Sequence, residues 1–370
     1  MRRRDRYLAS PRFQRWAARF PPTRYIARRR AKALFDISAG FVYSQVFYAC
    51  IELDLFQKLS AGPRALDKLS TETGLPAERL LRLLLAACSL RLLQRRGENR
   101  FGLGDLGAAS LGNPGIAAMV RHHRHLYSDL ADPVSLIKSE GGTNLSSFWP
   151  YARGEDGAVD GYSELMAASQ VFVAEEILQS FPLRDVDHLW DIAAGDGTFM
   201  CAALKRWPHL HGTVMDLPPV AARASERFQR EGLTDRARAY GATMFDGPFA
   251  WEAAADPDGA ASSGLARRSL ISLIRVLHDH DDGQVLHLLT RLRQSWPPVT
   301  RLMIAEPMAE TPGAEPMGHA YFGLYLMAMG SGRPRTIQEL GSLLKQAGFT
   351  RIREVHTGLP LLMRMLIIEP

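Results

Sequence analysis

The stretch Leu189-Trp-Asp-Ile-Ala-Ala-Gly-Asp-Gly-Thr-Phe199 decides the fold of this 370-residue chain. Its apolar first half predicts a strand, its two glycines predict a tight turn, and the residues after them predict the start of a helix. Glycines at such a turn let the backbone approach a ligand closely, so we expect Gly195 and Gly197 to border a binding site. Strand, glycine turn and helix in this order are typical of α/β sheets that bind nucleotides.

The residues around this turn distinguish between classes of nucleotide. A dinucleotide fingerprint would carry a third glycine at position 200, where the chain has Met200, and the Gly-Lys-Ser/Thr of a phosphate loop is absent. Asp216 closes the next predicted strand, 21 residues after Gly195. A carboxylate there can accept both ribose hydroxyls of an adenosyl ligand. The pattern favours a nucleoside cofactor, and the alternative is a structural turn with a surface aspartate.

The region 186–370 alternates between predicted strands and helices, which is typical of a largely parallel, doubly wound sheet. Ligands of such sheets bind beyond the carboxyl ends of the strands, near the point where the strand order reverses. The predicted strands lie near 186–192, 211–215, 237–240, 270–276, 301–305, 350–355 and 361–368.

The region 33–185 is predicted to be helical and to contain a winged helix. Helices near 66–73 and 76–90 precede a turn at 97–99 and a returning strand, which is the winged-helix order. A winged helix can read DNA, but the second helix carries only Arg79 and Arg82 as cations, so we favour dimerisation and expect no nucleic acid. The helix predicted at 33–53 has apolar residues on more than one face and is expected to be buried.

The first 32 residues form a basic arm. They hold twelve basic residues and one acid, so they carry +11 while the rest of the chain carries −5. Arginines with interspersed aromatic residues suit an anionic membrane surface, and the alternative is a helix that packs on a partner subunit. No apolar run is long enough to span a bilayer and no signal core is evident, so we expect a cytoplasmic protein, with peripheral contact at a membrane surface as one option.

We therefore predict three parts: a basic aromatic arm at 1–32, a helical winged-helix dimerisation domain at 33–185 and a Rossmann-like domain at 186–370. The fold class is α/β, with a doubly wound, mostly parallel sheet preceded by the winged-helix domain. The three cysteines lie far apart in sequence, form no CxxC pair and suggest no metal site.

His278 and Glu306 are candidates for proton transfer. Each follows a predicted strand, so each is expected at the carboxyl edge of the sheet, where the ligand binds. Histidine has an unperturbed pKa suited to proton abstraction near neutral pH, and a neighbouring carboxylate can hold the imidazole in one tautomer. A metal site built on His278, His280 and nearby aspartates is the alternative, which we disfavour because the two histidines would point to opposite faces if the segment were extended.

The region 186–370 resembles the plant-type O-methyltransferases, which include the caffeate, flavonoid and acetylserotonin enzymes. The motifs that carry this resemblance are 191–197, Met215-Asp-Leu-Pro218, Gly241-Ala-Thr-Met-Phe245, Leu277-His-Asp279 and Ala305-Glu306. The resemblance implies S-adenosylmethionine as cofactor, no metal, a homodimer formed through the N-terminal domain, and His278 as catalytic base assisted by Glu306. It implies cofactor contacts from Gly195, Gly197, Asp216, Leu217, Thr243, Met244, Arg275 and Tyr151.

A closer resemblance is to the 1-hydroxycarotenoid O-methyltransferases of purple bacteria, also called hydroxyneurosporene or demethylspheroidene methyltransferases. It rests on the segments 33–45, 126–133 and 148–153 and on the basic arm. This resemblance implies methylation of the C-1 hydroxyl of acyclic carotenoids. A substrate borne by the inner, photosynthetic membrane would give the arm its role as a peripheral contact. The chain departs from the wider family at Ala193 and Ala194, where glycines are usual, at Thr243 in place of an aspartate, and at Pro334 in place of a second glutamate.

Two other functions fit the same motifs. One is an O-methyltransferase of a soluble aromatic or polyketide hydroxyl, which would have the same fold. The other is a winged-helix regulator that keeps a methyltransferase-like sensing domain without catalysis. The presence of both His278 and Glu306 argues against the regulator.

Overall fold

A computed structural model describes residues 3–138, 142–148, 159–253, 268–297, 300–361 and 363–369, with side chains of the helix at 159–180 described from residue 170 onwards. Its contacts divide the chain into two compact units, Met1–Asn113 and Pro114–Pro370. This division differs from the predicted boundary at 185/186, because the helices that follow residue 113 pack on one another and on the first helix after the glycine loop. The arm belongs to the first unit. Tyr151 lies outside the described residues.

The first unit contains the predicted winged helix. Its hairpin pairs Leu93 with Leu103 in antiparallel register. A short strand at 64–65, which was not predicted, pairs with the other edge of the second hairpin strand. The elements of this unit are α1 (Arg3–Leu8), α2 (Pro11–Arg19), α3 (Pro21–Glu52), α4 (Leu55–Lys58), β1 (Arg64–Ala65), α5 (Leu66–Thr73), α6 (Ala77–Ser89), β2 (Leu93–Arg95), β3 (Arg100–Leu103) and α7 (Asp105–Leu111).

The long helix α3 differs from its prediction in two ways. It begins at Pro21, which suits a first helical turn, rather than near residue 33. The expected burial is wrong for this chain, since Phe35 is 64% and Phe41 is 67% exposed. By length and composition α3 could also cross a membrane, contrary to the expectation from uninterrupted apolar runs, because few charges interrupt its second half.

The second unit carries the sheet and its helices. Its helices are α8 (Pro114–Asp129), α9 (Pro133–Lys138), α10 (Asn144–Phe148), α11 (Val159–Ser180), α12 (Thr198–Arg206), α13 (Pro218–Arg230), α14 (Ala250–Ala253), α15 (Asp282–Gln294), α16 (Gly323–Met329) and α17 (Ile337–Gln346). Its strands are β4 (His188–Ile192), β5 (His211–Asp216), β6 (Ala237–Gly241), β7 (Ser269–Ile274), β8 (Thr300–Glu306), β9 (Arg351–Val355) and β10 (Arg364–Glu369). A 3₁₀ turn at Leu277–Asp279 and a π-helical turn at Met317–Phe322 complete it.

The sheet has seven strands in the order β6-β5-β4-β7-β8-β10-β9. The first five of these are parallel, and β10 runs antiparallel between β8 and β9. The predicted doubly wound, mostly parallel α/β sheet is therefore confirmed. The strand order reverses between β4 and β7, so their carboxyl ends meet at the point where such sheets bind ligands.

Apolar side chains cover both faces of the sheet. On one face, Ile177 of α11, Phe199 of α12 and Phe228 of α13 pack into one buried cluster. On the other face, Leu288 of α15 and Leu340 of α17 belong to a second cluster. Helices on both faces hold the strand ends in fixed positions, and the candidate site lies at those ends.

Candidate active site at the carboxyl edge of the sheet

The glycine loop 193–197 leaves the end of β4 and enters α12. Three of its residues take left-handed backbone angles: Ala193 at φ 53°, Gly195 at φ 59° and Gly197 at φ 76°. Glycine adopts this region without strain, whereas an alanine there costs about 1–2 kcal/mol. The loop therefore takes this left-handed shape at Ala193 although the residue there is not a glycine.

The two glycines of this loop have different surroundings and different roles. A Cβ at Gly197 would lie 2.9 Å from the ring of Phe228, so this glycine lets α12 pack against α13. A Cβ at Gly195 would meet no described atom within 4 Å. Gly195 thus offers bare backbone to open space, which is the cradle that a nucleoside ligand requires, whereas the need for glycine at 197 arises from packing.

Asp216 lies at the end of β5 and holds the glycine loop. Its Oδ2 accepts the backbone N–H of Gly195 at 2.8 Å, and its Oδ1 accepts that of Leu217 at 2.7 Å. Burial raises the pKa of Asp216 to about 6, and these two backbone donors oppose that rise. A carboxylate can accept about four hydrogen bonds, so each oxygen keeps capacity for a ribose hydroxyl. The predicted pair of Gly195 and Asp216 is in direct contact.

A second buried carboxylate, Asp191 on β4, was not predicted to have a role of its own. Its Oδ1 accepts the hydroxyl of Ser272 on β7 at 2.6 Å. Burial raises the pKa of Asp191 to about 7, and the nearby charge of Asp216 adds to the rise. This bond joins the two central strands behind the glycine loop. Sequence patterns gave no sign of it, because 81 residues separate its partners.

The motif 241–245 begins at the last residue of β6 and is fixed by α15. Arg291 donates to the carbonyl of Met244 and to that of Gly247, each at 2.6 Å. The hydroxyl of Thr243 accepts the N–H of Phe245 at 3.3 Å, so part of its capacity closes the turn. Thr243 and Met244 are both half-buried at the edge next to Asp216. The segment is thus held in place for ligand contact.

Arg275 follows β7 directly and leads into the turn that carries His278. Its backbone is left-handed at φ 58°, and its N–H donates to the carbonyl of Ala305 at 2.8 Å. Its charge also lowers the pKa of Tyr321, although burial raises that pKa overall. The structure therefore places Arg275 beside the predicted site.

His278 and Glu306 are brought together although they are 28 residues apart. Glu306 is fully buried, its Oε2 accepts the backbone N–H of His278 at 3.1 Å, and the same oxygen lies 3.6 Å from the imidazole Nδ1. Nδ1 of His278 and Oε1 of Glu306 have no hydrogen-bond partner among the described residues. The other ring nitrogen, Nε2, lies 3.1 Å from Oδ1 of Asp279. The imidazole thus has a carboxylate at each nitrogen.

This arrangement sets the charge of the imidazole. Burial lowers the pKa of His278, but the carboxylates of Asp279 and Glu306 outweigh it and raise the pKa to about 9. A carboxylate within hydrogen-bond reach favours the charged form of a histidine. The site is therefore built to hold an imidazolium, which is the form a general base reaches after it takes a proton. Asp279 is the contributor that the sequence did not reveal.

An aromatic wall, defined here as Tyr321, Phe322 and Tyr325, stands beside His278. The centre of the Phe322 ring lies 5.9 Å from that of the imidazole. The hydroxyls of the tyrosines are turned away to α8, where Tyr325 bonds His122 at 2.9 Å and Tyr321 bonds His123 at 2.7 Å. Burial lowers the pKa of both histidines, that of His122 to about 4, so they are neutral at pH 7. The wall offers ring faces and no charge.

No cluster of three metal-ligating side chains occurs among the residues that the structure describes. His280, half of the alternative metal pair, instead packs edge-on against Phe245 with ring centres 5.0 Å apart. Burial lowers its pKa. The predicted residues with described side chains thus gather around one edge of the sheet, from the glycine loop to Glu306.

Comparisons with known proteins agree with this geometry. A family model of the O-methyltransferase domain matches residues 127–350, and one of the O-methyltransferase dimerisation domain matches residues 35–112, which supports a homodimer. Demethylspheroidene O-methyltransferase of Cereibacter sphaeroides is 41% identical over 94% of this chain and 89% of its own length.

Solved structures share the fold at lower identity. Human N-acetylserotonin methyltransferase in complex with SAM gives a TM-score of 0.72 at 20% identity, over 92% of this chain and 97% of that one. A methyltransferase of calicheamicin biosynthesis in its SAH-bound form gives 0.74 at 21% identity, over 92% and 98%. With a family model that matches more than half of its residues and a relative of 41% identity, this chain belongs to the O-methyltransferase family.

Proposed function

We propose that this chain transfers the methyl group of S-adenosylmethionine to the C-1 hydroxyl of an acyclic hydroxycarotenoid, with His278 as general base and without a metal. The observation that carries the substrate class is the 41% identity to demethylspheroidene O-methyltransferase over nearly the whole chain. The aromatic wall supports it, because neutral ring faces beside the base suit an acceptor that is hydrocarbon apart from its hydroxyl.

S-adenosylmethionine is the cofactor, and it supplies the methyl group as an electrophile on a sulfonium. Gly195, with its open backbone, and Asp216, with spare acceptor capacity, fit the adenosyl part. In the transfer, the oxygen–methyl bond forms as the sulfur–methyl bond breaks, and the hydroxyl proton passes to the neutral imidazole of His278. A tertiary alcohol is a weak acid, so this proton leaves in the same step rather than beforehand.

The carboxylates of Asp279 and Glu306 stabilise the imidazolium that the proton transfer creates. Once Nε2 is protonated, its N–H donates to Asp279, and the N–H at Nδ1 faces Glu306. The charge of the imidazolium is thereby balanced inside a buried site, where an unpaired charge would be costly. The rest of the protein's contribution is positioning, because in-line transfer needs oxygen, methyl and sulfur to be collinear.

A substrate comparison tests this proposal. Purified protein with S-adenosylmethionine labelled in its methyl group is offered a 1-hydroxylated acyclic carotenoid in detergent, the same carotenoid without the hydroxyl, and a panel of phenols. We expect label in a carotenoid methyl ether and none in the hydrocarbon. Turnover of phenols alone would favour a soluble aromatic substrate. Cofactor binding without transfer to any acceptor would favour a non-catalytic sensing domain.

The basic arm is proposed to contact the anionic surface from which such a substrate is drawn. Trp16 and Phe20 of the arm are 51% and 42% exposed, and their rings stack with centres 4.9 Å apart. Arg12 and Arg15 are exposed on α2, the helix that carries Trp16. Aromatic rings suit the interface between headgroups and acyl chains, and arginines suit anionic headgroups.

Changing Arg12 and Arg15 to glutamine should weaken binding to anionic phospholipid vesicles by roughly 30-fold, at about 1 kcal/mol for each arginine. Vesicle co-sedimentation at low and high salt measures this effect, and salt should diminish it. The matched control changes Arg79 and Arg82, two exposed arginines of α6 outside the arm. Equal loss in both double variants, or no loss in the first, would remove the membrane role of the arm.

A further inference from the structure

The turn that carries His278 is short and depends on its surroundings for its shape. It is a 3₁₀ turn of three residues, with backbone bonds from Asp279 to Val276 and from His280 to Leu277, both at 3.2 Å. Glu306 bonds the N–H of His278 from the side of the sheet. A single 3₁₀ turn has weak internal hydrogen bonds, so contacts from outside must fix the direction of its side chains.

The segment 331–335 supplies these contacts from the opposite side. The guanidinium of Arg335 donates to the carbonyls of Leu277 at 2.6 Å and of His280 at 2.7 Å, one on each side of His278. Its third bond, from Nε, reaches Asp282 at the start of α15 at 2.8 Å. The side chain is fully buried. These three side-chain bonds all go to the turn and to the helix after it. The buried arginine therefore acts as a clamp on that turn.

Two residues near Arg335 also contact the backbone of the turn. The hydroxyl of Ser331 donates to the carbonyl of Asp279 at 2.8 Å. Gly332 lies so close behind the turn that a Cβ there would be 2.2 Å from the carbonyl oxygen of His278. The residue between Arg333 and Arg335 is a proline. This segment therefore acts on the backbone of the turn and presents no carboxylate to the imidazole.

We propose that Arg335 is a positioning residue for methyl transfer, which fixes the His278 turn from behind and so sets the angle at which the imidazole meets the acceptor hydroxyl. This inference rests on the proposed role of His278 as base. Losing the clamp frees both carbonyls, lets the turn rotate and loosens the contacts of the ring with Asp279 and Glu306. Misplacement of a reacting group by about 1 Å can cost roughly 10²-fold in rate.

Arg333 provides the matched control. It also pairs with Asp282, at 2.9 Å, and with Glu339, at 2.7 Å, but it is 41% exposed and its two ion pairs go to these carboxylates rather than to the carbonyls of the turn. Arg335→Gln should lower kcat about 10- to 100-fold and leave the KM for S-adenosylmethionine within about threefold. Arg335→Lys should be intermediate, since one ammonium cannot reach both carbonyls as a planar fork does. Arg333→Gln should keep both constants.

A second readout needs no acceptor. In protein with labelled histidines, the NMR titration of His278, assigned by its loss in His278→Ala, should move down from about 9 towards the unperturbed value of about 6.5 in Arg335→Gln and stay in Arg333→Gln. The charged groups that face the ring are Asp279 and Glu306, and both remain. A purely structural loss would lower stability without this selective shift.

The outcomes separate this inference from the function on which it rests. A folded Arg335→Gln protein with unchanged kcat and unchanged titration overturns the clamp, as does an equal effect of Arg333→Gln. If Arg335→Gln fails to fold, Arg335→Lys and Ser331→Ala carry the test, and no change in either readout for both overturns it. Normal turnover of His278→Ala would instead contradict the role of His278 as base and leave the clamp without its purpose.

Discussion

Replacing His278 with alanine should lower kcat by about 10²–10⁴-fold, the usual contribution of a positioned general base. The reason is local, because His278 combines a titratable nitrogen with two flanking carboxylates at the carboxyl edge of the sheet. Steady-state kinetics with labelled S-adenosylmethionine measures the effect, and calorimetry should give an unchanged affinity for the cofactor. His209→Ala, at an exposed histidine, is the control.

The pH dependence gives the same prediction a second check. The reactive base is the neutral imidazole, and the carboxylates of Asp279 and Glu306 raise the pKa of His278 to about 9 against the opposing effect of burial. The rate of wild-type enzyme should therefore rise with pH, reach half of its plateau near pH 9 and level off above that. Glu306→Gln removes one of the two charges and should move the midpoint down. Near-normal turnover of His278→Ala, or a rate independent of pH between 6 and 9, would contradict the base assignment.

Asp216→Ala should weaken the binding of S-adenosylmethionine by on the order of 10²-fold or more. Hydrogen bonds to a charged group contribute about 1.5–3 kcal/mol each, and about 1.4 kcal/mol is tenfold in affinity. The variant removes the acceptor of two backbone donors, Gly195 and Leu217, and so releases the glycine loop as well as the ribose acceptor. Titration calorimetry measures the dissociation constant, and circular dichroism checks the fold.

Asp235→Ala is the matched control for this variant, since that carboxylate is 75% exposed. Because burial raises the pKa of Asp216 to about 6, wild-type affinity should also fall as the pH drops through 6, where the carboxylate gains a proton. A dissociation constant within threefold of wild type would show that Asp216 orders the loop without binding the cofactor.

The centre of the sheet could be predicted from the sequence because its strands β4, β5, β7 and β8 are buried on both faces. Such strands read as nearly continuous apolar runs, and all six residues of β7 are buried. The predicted run at 270–276 and the six others each correspond to an observed strand. The contact between Gly195 and Asp216 follows from the same reasoning, since both lie at the carboxyl ends of adjacent parallel strands.

Other parts of the site could not be predicted, because their partners are distant in sequence and follow no periodic pattern. The bond between His122 and Tyr325 spans 203 residues, and that between Arg335 and Leu277 spans 58. Asp279 stood in a quoted motif, but only the folded turn brings its carboxylate to Nε2 of His278. The exposure of α3 was also not predicted. An apolar pattern shows that a helix face is apolar, but it does not show whether other residues of the same chain cover that face.

The left-handed backbone at Ala193 has a thermodynamic consequence for cofactor binding. An alanine samples fewer backbone conformations than a glycine, so a loop with alanines at 193 and 194 has less freedom to lose when a ligand closes on it. The strain is present before the cofactor arrives and is not added by it. Binding should therefore be opposed less by conformational entropy than in relatives whose loop carries glycines there, in the manner of a preorganised receptor.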